Sequence, residues 1–270
     1  MHAAMRGQIT ALTFVLLAFS CVATASAGRG PDRMRKAHAP YYVGNFNTCD
    51  FSQWRMQGPT ASFKIVRSPK KEGACAAALT VGPWASPGLG ERRADGAAIY
   101  LAPASYGTTG KTVWQHFSVQ FAPGFRATDG VWNWFVEWHN HPSSETEFAN
   151  LCWTVRKTNG LQRIAMRILG GPSTAPRTTW VNGPRLRTGI WYDFLVRTVW
   201  SPDPKRGLVQ WWLSGKRLYS RHAATLYTRP DGSVTTVSFI LDNYRLHAAW
   251  DATIYFDGTR LGPTRSSVRY

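Results

Sequence analysis

The chain has 270 residues, 44% of them hydrophobic, and carries a formal net charge of +17. Such a charge favours a polyanionic partner: nucleic acid, an anionic membrane or an acidic polysaccharide. No zinc-finger spacing and no helix-turn-helix pattern occurs, so nucleic acid is not favoured. The alternative interpretation is that a basic secreted protein is merely soluble and adhesive.

The first 27 residues have the features of a secretory signal. Arg6 precedes the apolar run "ITALTFVLLAFSCVATA", and the segment ends in small residues at Ala25–Ala27. This pattern predicts cleavage after Ala27 and a secreted product of charge +16, because Arg6 is the one formally charged side chain removed. The run is short for a membrane span, so no membrane partner is expected. A lipoprotein signal at Cys21 is the weaker alternative, because Ala18 stands where such signals usually carry leucine.

The segments after the signal differ in pattern. Residues 28–40 are basic, contain glycine and proline and lack periodicity, which predicts a disordered leader. Residues 41–270 have a length that suits one β domain. We expect this domain to act as a monomer.

Three cysteines remain after loss of the signal. They are Cys49, Cys75 and Cys152, in a chain expected to fold outside the cytoplasm. Cys49 and Cys75 could form a disulfide, which would leave Cys152 buried and free. The sequence alone does not decide which two of the three are paired.

Period-two alternation dominates the domain. In "TVWQHFSVQF" (112–121), Val113, Gln115, Phe117, Val119 and Phe121 share one face. Similar runs, separated by turn signals, are "WYDFLVRTVW" (191–200), "GLVQWWLSG" (207–215), "SVTTVSFIL" (233–241) and "ATIYFDGTRLG" (252–262). Without a sustained helical period, these runs predict an all-β sandwich, jelly roll or barrel. Some of the 13 tryptophans are expected to line a groove and stack on sugar rings, and the majority to pack in the core and at edges.

The strand "GVWNWFVEWHNHP" (130–142) separates its side chains by alternation. Trp132, Trp134, Val136 and Trp138 are predicted to face the core, and Asn133, Phe135, Glu137, His139 and His141 to face the other way. Glu137 and His139 would then be neighbours on a largely polar face.

Three interpretations of this polar face are open. It can be an exposed strand surface without a further role. It can be a metal site, because His139-x-His141 followed by Glu145 has the spacing of the first cupin motif. However, Pro142 should turn the chain, and no later block supplies a second motif. The third interpretation is acid/base chemistry on a sugar, with His139 as the titrating group.

Several segments together resemble the heparin lyase I-like polysaccharide lyases, which are relatives in fold of alginate and glucuronan lyases. They are "GNFNTCDFSQW", "GERRADGAAIYL", "FVEWHNHP", "GIWYDFLVRTVWSPDPKRGLVQWWLSGKRLY" and "FILDNYRLHAAWDATIYFDGTRLG". Their order matches the family from Gly44 to Gly262. The resemblance implies a concanavalin A-like β-jelly-roll sandwich with a concave substrate groove. It also implies β-elimination on an acidic, uronate-containing polysaccharide, with no cofactor required.

The resemblance also implies roles for particular residues. β-Elimination needs a group that stabilises charge on the C5 carboxylate, a base for the C5 proton and an acid for the leaving C4 oxygen. By position, Tyr244 would be the base or the acid and His139 its partner. Arg93, two residues before Asp95, would bind the carboxylate. Further substrate-binding candidates are Glu137, Asn140, Arg197 and Arg245, the last of which could instead be solvated at a strand edge.

Two positions depart from the pattern of related alginate lyases. Glu137 stands where a glutamine commonly contacts the uronate carboxylate, and it would repel that carboxylate unless it is protonated or paired with arginine. Ile240 stands four residues before the tyrosine, where a lysine is frequent. Either Arg93, Arg197 and Asn140 compensate, or the substrate or activity differs.

Other functions remain possible at this stage. Asp50 and Asp257 could hold a structural Ca²⁺, or they could simply cap turns. A non-catalytic carbohydrate-binding jelly roll would explain the two departures. A retaining glycoside hydrolase would need two carboxylates about 5–5.5 Å apart, and "ETE" at 145–147 is a poor candidate because it follows a proline turn.

Overall fold

Alternating side chains build two antiparallel sheets, as the sequence predicts. The computed structural model describes residues 38–83, 94–101, 106–128, 133–141, 148–246 and 248–269, with only the backbone described at 94, 95 and 141. The predicted signal, residues 28–37 of the leader, Arg93 and Glu145 therefore lie outside the described residues. Within these ranges no helix has the length and apolar character of a membrane span.

The first sheet has the order β13-β12-β11-β6-β16-β4-β3, with β1 paired to β16. Its strands are β1 (Tyr42–Gly44), β3 (Phe63–Val66), β4 (Ala76–Val81), β6 (Thr112–Phe121), β11 (Trp191–Val199), β12 (Leu208–Leu213), β13 (Lys216–His222) and β16 (Ala252–Gly262).

The second sheet has the order β10-β9-β8-β7-β15-β5-β2, and β14 pairs in parallel with β9. Its strands are β2 (Arg55–Gln57), β5 (Ala94–Tyr100), β7 (Asn133–His141), β8 (Leu151–Thr158), β9 (Leu161–Pro172), β10 (Arg177–Arg185), β14 (Tyr227–Thr228) and β15 (Thr236–Leu246). Short 3-10 turns occur at Thr60–Ser62 and Ser266–Val268.

The inner faces of the two sheets meet in an aromatic core. The Phe117 ring of β6 lies 4.7 Å from the Phe194 ring and also packs against Trp153 and Phe239 of the second sheet. Gln115, on the same face of β6, accepts a hydrogen bond from the Trp138 indole. Because all these side chains are buried on inner faces, the sandwich prediction and the predicted faces of β6 are confirmed.

The cysteine prediction is also confirmed. Cys49 and Cys75 form a disulfide with their Cα atoms 5.3 Å apart, and Cys152 is buried and free. The disulfide ties the segment after β1 to the start of β4, and thus fixes the N-terminal edge of the first sheet.

The predicted faces of β7 are wrong at its beginning. The pairing of β7 with β8 changes register between Trp134 and Val136, which inserts an additional residue into β7. Phe135 therefore packs in the core against Phe121, whereas Trp134 lies on the outer face with Cys152. After this bulge, Glu137 and His139 lie on the predicted outer side.

Candidate active site

The outer face of the second sheet collects polar and aromatic side chains in one row. Glu137 of β7 is opposite Cys152 of β8 on one side and Ile240 of β15 on the other. The same register continues to Arg167 of β9 and then to Trp180 of β10. In the other direction it continues from Ile240 to Tyr100 of β5. We call this surface, together with Trp134, His139, Asp242 and Tyr244, the Glu137 face.

Glu137 and Asp242 form a pair of neighbouring carboxyl groups on this face. Asp242 is two residues after Ile240, so it points to the same side as Glu137. Their exposed fractions are 8% for Glu137 and 4% for Asp242. Burial raises the pKa of Glu137 to about 7, although the nearby Arg167 opposes this shift. Burial, and then the charge of Glu137, raise the pKa of Asp242 well above its usual value.

Tyr244 lies at one end of the carboxyl pair. It is opposite Trp134 on β7 and Gly96 on β5. A Cβ atom at residue 96 would be 2.9 Å from Tyr244 Cδ2, so the glycine leaves the space that the ring occupies. Burial raises the pKa of Tyr244, and the carboxyls of Glu137 and Asp242 raise it further. The phenol is therefore protonated at neutral pH and can act as a proton donor.

His139 lies at the other end of the pair and is half-buried. It is opposite Ser238, and its Nδ1 is 3.2 Å from the carbonyl oxygen of Asn140. His139 follows Trp134 by five positions on β7, which corresponds to at most roughly 16 Å at the rise of a strand, and the bulge shortens this distance. His139 and Tyr244 thus share a face without being neighbours, and Glu137 and Asp242 lie between them.

A stack of arginine and tryptophan side chains borders the carboxyl pair. The Arg167 guanidinium lies 4.4 Å from the centre of the Trp134 ring and 5.8 Å from that of Trp180. The two rings are stacked at 6.1 Å, and Arg156 lies 4.8 Å from the Trp180 ring. Flat aromatic faces next to cations suit an anionic sugar.

Three predicted substrate-binding residues do not lie on the Glu137 face. Asn140 is fully buried on the inner side of β7, because it follows His139 by one residue. Arg245 follows Tyr244 by one residue and is 1% exposed, and its Nη2 donates to the carbonyl oxygens of Val81 and Gly82 at 3.2 Å. Neither side chain can contact a sugar on the outer face.

Arg197 belongs to the first sheet, and the core separates it from the Glu137 face. Its Nη1 donates to Gln210 Oε1 at 3.3 Å, and its guanidinium lies 5.8 Å from the Trp114 ring centre. We therefore do not retain Arg197, Asn140 or Arg245 in the candidate site. Arg93 lies outside the described residues.

The two calcium candidates occupy turn-capping positions. Asp50 Oδ1 accepts hydrogen bonds from the Thr48 hydroxyl and from the backbone N–H and hydroxyl of Ser52. Asp257 accepts the backbone N–H groups of Lys71 and Glu72 on Oδ2 and of Gly258 on Oδ1. Within the described part of the chain, no cluster of three His, Cys, Asp or Glu side chains is arranged to hold a metal ion. A structural Ca²⁺ remains a prediction.

Four of the residues on this face were not found by sequence reasoning. Asp242 could have been found, because it lies two residues before Tyr244 and alternate residues of a strand share a face. Arg167, Trp180 and Tyr100 come from strands whose order in the sheet the sequence does not state. Their place beside Glu137 follows only from the observed register.

Comparisons with known proteins identify the family and the fold. A sequence profile described as "Polysaccharide lyase" matches residues 46–260. A search of curated protein sequences finds no significant match.

Several solved structures with a similar fold are polysaccharide lyases. An endo-β-1,4-glucuronan lyase from the fungus Trichoderma reesei superimposes with a TM-score of 0.70 at 13% identity, covering 85% of this chain and 98% of its own. The alginate lyase Aly36B, in complex with an alginate trisaccharide, has a TM-score of 0.55 at 14% identity, covering 85% and 100%. The alginate lyase vAL-1 from Chlorella virus has a TM-score of 0.51 at 14% identity, covering 83% and 100%. At these identities the likeness establishes the jelly-roll fold.

Proposed function

The chain belongs to the polysaccharide lyase family, and we propose that it is a secreted enzyme that cleaves an acidic, uronate-containing polysaccharide by β-elimination. Its activity as a polysaccharide lyase follows from the family. The substrate class, the elimination chemistry and the secretion are the proposal. Secretion rests on the signal-like residues 1–27, and a monomeric state remains a prediction.

One observation carries the proposed chemistry: a protonated phenol, a carboxyl pair and an imidazole follow one another on one sheet face. We infer that the sugar next to the cleaved bond lies over Glu137 and Asp242, between Tyr244 and His139. Tyr244 then protonates the leaving C4 oxygen, because its raised pKa keeps the hydroxyl protonated. His139 accepts the C5 proton.

The surroundings of this face support an acidic substrate. Arg167 and Arg156 place positive charge beside Trp180, whose partly exposed ring offers a surface on which a sugar can stack. The formal net charge of +17 draws polyanions to the protein over a longer range. Among the relatives in fold, glucuronan and alginate lyases are enzymes named for uronate polymers.

The proposal can be tested by incubating the secreted protein with alginate, glucuronan, heparin, hyaluronan and pectate over a range of pH, with calcium present. Formation of the unsaturated uronide, measured by its ultraviolet absorbance, is the expected result with at least one polymer. Tyr244→Phe should abolish this signal and His139→Ala should strongly reduce it. Arg197→Gln serves as the matched control on the other sheet and should retain activity.

Three outcomes would contradict the proposal. New reducing ends without ultraviolet absorbance would indicate hydrolysis, and retention on an immobilised glycan without any product would indicate a binding protein. Full activity of Tyr244→Phe would remove the tyrosine from the mechanism. Secretion is tested separately, by sequencing the N-terminus of the exported protein, which is expected to begin after Ala27.

A further inference from the structure

We propose that Asp242 and Glu137 form a proton-sharing carboxyl pair that takes up a proton when a uronate carboxylate binds over it. The protonated pair would then contact the uronate carboxylate, as a glutamine commonly does at the Glu137 position of related alginate lyases. This inference rests on the proposed function, since it names the group that recognises the acid of the substrate.

The two carboxyls are close because of the sheet register. Glu137 is directly opposite Ile240, and Asp242 is the next residue of β15 on the same face. The register of β15 against β7 shifts between Leu241 and Tyr244, so Asp242 lies at this bulge, where the charge of Glu137 acts on its carboxyl. Both side chains are more than nine-tenths buried.

The pair has no partner that would stabilise two negative charges. Asp242 Oδ1 is fully buried and receives no hydrogen bond from any described residue. Over the same residues, neither Glu137 nor Asp242 forms an ion pair with lysine, arginine or histidine. Among the described residues, the cation that lowers the pKa of Glu137 is Arg167, whose guanidinium is stacked on Trp134.

The other titratable groups that face the pair do not supply positive charge in place of Arg167. Burial raises the pKa of the Cys152 thiol and of the Tyr100 and Tyr244 phenols, so all three remain neutral. His139 is further along the same face of β7. Arg167 forms no ion pair with either carboxyl. Two buried carboxylates in this setting would repel each other, so at least one of them holds a proton.

A bound uronate completes this site. Its carboxylate lacks a proton at neutral pH, and it can accept a hydrogen bond from a protonated Glu137 oxygen. The negative charge of the bound uronate raises the pKa of the carboxyl pair. A proton therefore passes from the acid form of the buffer to the pair as the uronate binds: the bond to hydrogen in the buffer acid breaks, and an O–H bond forms on a carboxyl.

The uptake can be measured without turnover. A uronate oligosaccharide of a polymer that the native enzyme cleaves is titrated calorimetrically into Tyr244→Phe, in several buffers of different ionisation enthalpy, at a pH just above neutral. We expect the heat to depend on the buffer in the sense of proton uptake, approaching one proton per site. Adding Glu137→Gln should remove this dependence, because the amide donates without titrating. Adding Arg197→Gln, the matched control, should leave it unchanged.

A second readout uses the native enzyme. Its KM should rise at alkaline pH as the pair loses protons, whereas the KM of Glu137→Gln should stay flat over that range. Asp242→Asn should change the pH at which KM begins to rise. Binding without proton uptake, or a parallel KM profile for Glu137→Gln, would overturn the carboxyl-pair inference alone. Absence of cleavage of every uronate polymer by the native enzyme would instead overturn the proposed function.

Discussion

The two sheets of the sandwich both carry charged side chains on their outer faces, but the two faces differ in whether these charges form ion pairs. On the first sheet, Arg260 forms a bidentate ion pair with Glu72, with Nη2 and Oε1 2.6 Å apart, and Lys71 pairs with Asp193 at 2.8 Å. We call this surface the Asp193 face. On the Glu137 face, the two carboxyls have no such partner within the described residues.

This difference separates a surface that stabilises the fold from one that is arranged for a ligand. A paired, partly buried charge already has its counterion and gains nothing further from an incoming sugar. An unpaired buried carboxyl costs stability in the free protein, and such groups are characteristic of functional sites. The following substitutions should therefore change stability on one face and activity on the other.

The largest effect is expected from breaking the buried ion pair on the Asp193 face. The Glu72 and Arg260 side chains are 12% and 13% exposed, so Glu72→Gln leaves a buried guanidinium without its counterion and should lower the free energy of unfolding by about 2–4 kcal/mol. Lyase activity below the melting temperature should be unchanged. Asp193→Asn is the control: its pair with Lys71 is 30% and 25% exposed, and loss should cost less than about 1 kcal/mol. Equal losses of unfolding free energy for the two variants, measured by denaturant unfolding, would refute the distinction between the buried and the exposed ion pair.

The next effect concerns the space for Tyr244. Gly96→Ala places a Cβ atom 2.9 Å from Tyr244 Cδ2, so the ring must move. Because misplacing a reacting group is costly, kcat should fall by roughly tenfold to a hundredfold while the melting temperature changes little. Unchanged kcat would show that the position of the ring is not critical.

An effect of intermediate size is expected in the pH dependence of stability. The native pKa of Glu137 is raised from 4.5 to about 7, and that of Asp242 is raised as well, so the folded chain binds protons that the unfolded chain has released. The free energy of unfolding should therefore fall as pH rises from about 4.5 to about 7. Glu137→Gln with Asp242→Asn should remove this part of the decline in urea unfolding experiments. An unaltered pH profile would mean that the pair does not titrate as inferred.

The smallest effects distinguish two arginines that the sequence presents alike. Arg167→Gln should raise KM for a uronate polymer by about tenfold, because it removes a cation whose charge acts on the carboxyl of Glu137. Arg197→Gln, on the first sheet, should leave KM unchanged. It should change the free energy of unfolding by no more than about 0.5 kcal/mol. A similar rise in KM for both variants would place the substrate elsewhere.

Much of the fold could be predicted, because alternation depends only on neighbouring residues. The pattern of Val113 to Phe121 holds throughout β6. The same rule failed at Trp134 and Phe135, where a bulge adds one residue that no local pattern marks. It could also have excluded Arg245, since adjacent residues of a strand face opposite sides. The candidate site was harder to predict, because Arg197 and Arg167 differ only in the sheet to which their strands belong.

The buried carboxyl pair also alters how strongly the folded protein behaves as a cation. The formal charge of +17 counts Glu137 and Asp242 as anions, yet burial raises the pKa of both carboxyls in the folded chain. The native surface is therefore more cationic than the residue count indicates, and this excess appears only when the chain folds. Electrophoretic mobility should consequently decrease on unfolding, and attraction to a polyanion should weaken with salt more steeply than the sequence charge suggests.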